Sequence, residues 1–122
     1  MTDSDNKYDV RKLTIYQKTE NLLYQLYPKL SNFPKSEKFA LCQHIKENFF
    51  ELLKYIALGN SVKSKRMEYL QSADGHLQVL KVLLDLSKQR KYISENYHEL
   101  VDLQLTEINK LLSGYIRSVN KK

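Results

Sequence analysis

The chain has no tryptophan, one cysteine, two prolines and three glycines among its 122 residues. A lone cysteine, Cys42, excludes an intramolecular disulfide. It sits on an apolar helical stripe, which makes a buried thiol the expected state rather than a reactive one. So little proline and glycine excludes a fold built on many tight turns, as all-β chains are. No apolar run approaches the roughly 20 residues needed to cross a bilayer. The longest apolar clusters are broken by Lys54, Lys81 and Asp85. The opening Met1-Thr2-Asp3-Ser4-Asp5-Asn6 is polar and acidic and lacks the apolar core of a signal peptide. A cytoplasmic location without a membrane partner is therefore expected. Acidic side chains are also in the minority, 14 Asp and Glu against 20 Lys and Arg, which leaves a net charge of +6. That balance favours an anionic partner, nucleic acid first and an acidic protein surface second. The competing reading is a lysine-rich surface that serves solubility alone.

Constellations for catalysis are absent as well. Among His44, His76 and His98 no two lie four residues apart, so no pair of imidazoles shares a helical face at metal-binding spacing. Glu95-Asn96-Tyr97-His98 has the Glu-x-x-His form of di-metal bundles, but those need a second copy and two further inward glutamates. Arg90 and His98 are too far apart for the Arg/His arrangement of small helical ribonucleases. There is no glycine-rich phosphate loop and no nucleophile elbow. The chain reads as a binding protein, not an enzyme, with no metal and no cofactor.

What is present is helical periodicity. Leu, Lys, Glu and Gln abound, and all favour helices. Residues 1–7 read as a frayed tail and 8–120 as one domain. A first helix from about Tyr8 carries Leu13, Tyr16, Leu23, Leu26, Tyr27 and Leu30 on one stripe, and Pro28 should kink or end it. Ser31-Asn32-Phe33-Pro34 is the connection. Ser36 reads as an N-cap, with Glu37 favourable at the positive end of the helix dipole. The second helix then spans 36–58, with a stripe of Phe39, Cys42, Ile45, Phe49, Leu52, Leu53 and Ile56, and Gly59-Asn60 is a good stop. The third spans about 64–91. Met67, Leu70, Ala73, Leu77, Leu80, Leu84 and Ser87 form a heptad-like seam, which stays in phase across Gly75 and so predicts a continuous helix. Such a glycine can admit another helix closely. Ser94 caps the fourth helix, lined by Tyr97, Val101, Leu105, Ile108, Leu111, Leu112, Tyr115 and Val119. Gln104 interrupts that seam and is placed either to hydrogen-bond across it or to face a channel. Four helices with short links predict an all-α, antiparallel up-down-up-down bundle.

Basic residues occur on every helix. Arg11, Lys12, Lys46, Lys63, Arg66, Lys81, Lys110 and Arg117 are the candidate contacts to nucleic acid or a protein partner. Lys63 and Arg66 can hold phosphates beside Tyr69, on which a base can stack. Ordinary solvated charge is the alternative, and Lys88, Arg90 and Lys91 already have a local reason in the dipole at a helix C-terminus. Tyr8, Tyr55 and Tyr92 are the aromatics expected to face a partner. Phe50 lies off the stripe of the second helix, and Val79, Leu83 and Leu86 flank the seam of the third. These surplus apolar faces argue for self-association.

The string Phe33-Pro34-Lys35-Ser36-Glu37-Lys38-Phe39-Ala40-Leu41 resembles the F-P-K/R-S/E-E-R-F-x-L junction of a family of small bacterial four-helix bundles. That family comprises the 23S rRNA intervening-sequence proteins and Avd, the accessory variability determinant of diversity-generating retroelements. Leu26-Tyr27-Pro28 looks like the end of the Avd first helix. Gly59-Asn60-Ser61-Val62 with Lys65-Arg66-Met67-Glu68-Tyr69-Leu70 is similar to its second loop. Ser72 through Lys81 looks like its third helix, and Ile108 through Lys122 resembles the ending I-G-R-M-L-G-x-W-I. The intervening-sequence hallmark Q-I-R-R-A-A is only echoed at Gln43-His44-Ile45-Lys46, and the N-I-A-E-G that follows it is lost, so the Avd branch is the nearer one.

The resemblance implies a homopentameric barrel of four-helix protomers with a basic surface. It implies partnership with a retroelement reverse transcriptase and its template RNA, in a complex that makes adenine-mutagenised cDNA. Avd itself is not the catalyst there. Lys81 falls where the family carries a basic residue, whereas Asp85 replaces the one expected a turn later and interrupts the basic patch on this helix. Tyr115 stands for the usual tryptophan. The alternative is a helical interaction module of the intervening-sequence type without specific nucleic-acid affinity.

Overall fold

The computed structural model describes residues 9–120. The tail expected at 1–7, Tyr8, and the basic Lys121-Lys122 lie outside the described residues. Four α-helices carry the chain: α1 (Thr14–Leu26), α2 (Leu41–Ser61), α3 (Arg66–Gln89) and α4 (Glu95–Asn120). No strand occurs among the described residues, and no helix there is long and apolar enough to cross a membrane.

The first helix begins later than the periodicity suggests. Asp9 accepts a hydrogen bond from the Arg11 backbone N–H and closes a short 3₁₀ turn, Val10–Lys12, before α1 starts. Its core face is Ile15, Thr19, Leu22, Leu23 and Leu26, while Tyr27, expected on the stripe, is half exposed. Thr19 is tolerated in the core because its hydroxyl donates to the Ile15 carbonyl at 2.8 Å. Pro28 ends the α-helix as expected. It has no N–H for the preceding turn, and the chain tightens into the 3₁₀ segment Tyr27–Asn32.

The junction that follows departs from the sequence reading. Ser36 caps nothing. Residues Lys35–Glu37 form a separate 3₁₀ turn without a side-chain cap, and α2 starts only at Leu41. Tertiary anchors hold this segment off the helix axis. The Phe33 ring packs on Tyr92 at 5.3 Å between centroids, and the Tyr92 hydroxyl donates to the Glu37 carboxylate at 2.9 Å. Helical spacing therefore does not extend back to Phe39, which is 83% exposed instead of buried on the α2 stripe.

The rest of α2 buries Leu41, Cys42, Ile45, Phe49, Leu52 and Ile56. Gly59 and Asn60 do not stop it; both are helical, and neither takes a left-handed conformation. Gly59 is required for a different reason. A Cβ there would lie 2.7 Å from Leu70 Cδ2, so the glycine lets α3 approach. Gly75, the glycine expected to admit a neighbour, has nothing within 4 Å of a Cβ. The α3 seam is as predicted from Leu70 on, with Leu70, Ala73, Leu77, Leu80, Leu84 and Ser87 buried and the helix unbroken, while Met67 at its start is only half-buried.

A left-handed residue, Lys91 (φ 63°), reverses the chain after α3. The Tyr92 N–H donates back to the Ser87 carbonyl at 2.9 Å, the longer bond of a Schellman closure. The Ser94 hydroxyl then accepts from the Tyr97 N–H at 3.0 Å, the cap expected for α4. Val101, Leu105, Ile108 and Leu112 are the buried face of α4. Cross-helix contacts fix an antiparallel register. His98 meets Asp85 and Gln78 meets Asn109 between α3 and α4, and Lys18 pairs with Glu107 between α1 and α4. Gln104 donates to Gln25 at 3.2 Å, the first of the two roles open to it from the sequence. The packing of α2 on α3 is the most extensive in the bundle.

Candidate nucleic-acid interface

The register divides the candidate cations. Arg11 and Lys12 precede α1, Lys63 and Arg66 flank the α2–α3 turn, and Arg117 lies in the last turns of α4, so these share one end of the bundle. Lys110 lies about two turns inward of Arg117. Lys46 and Lys81 belong to the other half. The His76–Asn48 contact at 3.0 Å sets the α2–α3 register and brings those two lysines to nearly the same height.

The fold already uses Arg66 and Arg11. The Arg66 guanidinium donates to the Gly59 carbonyl at 2.7 Å and to the Asn60 carbonyl at 2.8 Å. It closes the C-terminus of α2, where a cation also meets the negative end of the dipole. Arg11 is held by Asp9, with contacts of 3.1 and 2.9 Å from its guanidinium. That hydrogen-bonded pair holds the Asp9 carboxyl below its usual range and raises the Arg11 guanidinium. Lys12, Lys46, Lys81, Lys110 and Arg117 are in no ion pair with the described residues. Of these, Lys12, Lys110 and Arg117 are exposed, and Lys46 and Lys81 half-buried.

The aromatics sort differently from the expectation. Tyr92 is turned to the junction by its bond to Glu37 and its contact with Phe33. Tyr55 is stacked between Tyr69 (6.0 Å) and His76 (5.6 Å), with Lys54 over its ring at 4.8 Å. Tyr69 is thus part of an aromatic stack on the α2–α3 face. Tyr24 and Tyr27 are the exposed tyrosines among the described residues.

The periodicity did not disclose a cavity of about 310 Å³ at the α1–α2 junction. Tyr27, Leu30, Phe33 and Cys42 form its apolar surfaces, and Lys35, Lys38 and Lys46 line it as well. Lys46 Nζ stands 4.7 Å above the Tyr27 ring. Burial pushes the Cys42 thiol up, and its Sγ donates to the Leu30 carbonyl at 3.6 Å. The only available signal in the sequence was the crowding of lysines around Pro34.

His98 meets Asp85 and Asp102 rather than acting with Glu95. The potential ligand atoms of this trio lie within 4.8 Å of one another, and His98 Nε2 is 2.8 Å from Asp85 Oδ1. The Asp85 that stands in place of an expected basic residue thus has a structural task, pairing α3 with α4.

Comparison with known proteins gives one family. A family model described as bAvd-like matches residues 13–119, nearly the whole described chain, and the chain belongs to that family. No curated protein matches the sequence.

Proposed function

We propose, taking membership of the bAvd-like family as the premise, that this protein is a non-catalytic accessory factor of a diversity-generating retroelement. In this reading it binds template RNA and the reverse transcriptase through its basic surface and supports mutagenic retrohoming. The family match over 13–119 is the observation that carries the reading. The net charge of +6 and the candidate cations left without a carboxylate partner support it. Counterion release from RNA phosphates would then supply most of the affinity.

The proposal includes a homo-oligomer, a pentamer by resemblance, working in the cytoplasm. Val79, Val82 and Leu86 are exposed at three- and four-residue spacing on α3, and Leu100 and Leu103 on α4. Apolar stripes of this kind support burial against another copy.

Light-scattering mass and RNA titration on the same sample, at low and moderate salt, test the reading. A discrete oligomer is expected, with RNA affinity that falls steeply with salt and exceeds that for duplex DNA. The Lys81→Glu/Arg117→Glu protein is expected to lose about tenfold or more in RNA affinity. Weak and equal binding to every polyanion would instead favour a helical module of the intervening-sequence type.

A further inference from the structure

We propose that the cavity at the α1–α2 junction receives one unpaired nucleotide of a single-stranded RNA. The site deepens the RNA-binding reading given above and rests on it for the source of the ligand. Its shape comes first. About 310 Å³ is at the small end of ligand sites and suits one base with its ribose, not a helix. The surface offered to the base is apolar, made by Leu30 and Phe33, with Tyr27 as a half-exposed aromatic wall.

Charge comes second. The charged residues lining the cavity are all lysines: Lys35, Lys38 and Lys46. None is in an ion pair with the described residues. The nearby carboxylate, Glu37, is engaged by the Tyr92 hydroxyl. Three ammonium groups exceed what a single phosphodiester neutralises, so the best match is a nucleotide flanked by phosphates on both sides. The N-terminus of α2 adjoins the cavity with no side chain capping it, and its dipole adds to the same field. A base in a duplex is stacked and paired and cannot enter without being flipped out, so the site selects unpaired strands.

The deciding experiment titrates a labelled single-stranded RNA oligonucleotide, and separately AMP as a mononucleotide probe, against the full chain. RNA is followed by fluorescence anisotropy and AMP by backbone amide shifts at the junction. Ser31→Trp fills the cavity without changing charge, and Lys35→Ala/Lys38→Ala removes charge without filling it. Lys88→Ala/Arg90→Ala removes equal charge from residues that do not line the cavity. Melting curves confirm that each variant is folded.

Both cavity variants are expected to lose about tenfold in RNA affinity, the scale of one stacked base, and the Lys88/Arg90 control much less. AMP is expected to shift junction amides in the parent and not in Ser31→Trp. If RNA binds the parent and all variants alike, the cavity proposal is overturned and the RNA-binding reading stands. If RNA fails to bind while AMP still shifts the junction in the parent only, the site is one for free nucleotides and the RNA reading falls. If neither ligand binds, both fall.

Discussion

The α2–α3 turn and the α1–α2 junction both gather cations around a reversal of the chain, yet they use them in opposite ways. At the turn, Arg66 faces inward and closes the carbonyls of Gly59 and Asn60, and Gly59 lets Leu70 lie against the α2 backbone. At the junction, a non-α stretch anchored by Phe33 and Glu37 leaves an open cavity whose lysines form no ion pair with the described residues. The turn is short and close-packed around Arg66; the junction is long and keeps its lysines out of ion pairs with the described residues. Net charge alone therefore says little about binding. What matters is which cations remain once the fold has taken its share.

Replacing Gly59 should have the largest effect. In Gly59→Val the new side chain must displace the fully buried Leu70, and overpacking of this kind costs about 3 kcal/mol. Denaturant unfolding should show a lower midpoint; an unchanged midpoint would mean that α2 and α3 do not meet as closely as described. Next comes Arg66→Ala, which leaves the Gly59 and Asn60 carbonyls without their charged donor and should cost about 2 kcal/mol. The same variant sharpens the contrast with the junction, because its RNA affinity should fall little in a folded sample. A large drop in affinity without loss of stability would return Arg66 to the binding surface. The smallest effect has the opposite sign. Gly75→Ala meets no atom within 4 Å and should raise stability by about 1 kcal/mol through helix propensity. If it destabilises instead, propensity is not what separates the two glycines.

These contrasts also mark where the sequence could be read and where it could not. The α3 seam and the Ser94 cap are local patterns, and both are present in the structure. Gln104 was legible in part: a bond across the seam and a channel-facing position were both open, and the half-exposed side chain makes the bond. Gly59 was misread as a stop because its reason lies in Leu70, on another helix. Ser36 and Phe39 were misread because periodicity was carried backward through a segment held by Tyr92, 55 residues from Glu37. Lys46 was chosen as a basic residue on α2, but its neighbours Lys35 and Lys38 join it only through the tertiary path of the junction. Arg66 was chosen for its charge, which the fold spends on backbone carbonyls.

The buried thiol at the edge of the junction has a practical consequence. Cys42 is the chain's single sulfhydryl, so any thiol reagent acts at one known atom. Cys42 lines the open cavity but is only 4% exposed, and burial suppresses its thiolate, so labelling is slow unless the surrounding segment opens. The labelling rate is thus a clock for local opening at this corner, readable on the unmodified protein. Compared with the rate of global unfolding, it separates a corner that flexes on its own from one that moves only when the whole bundle comes apart.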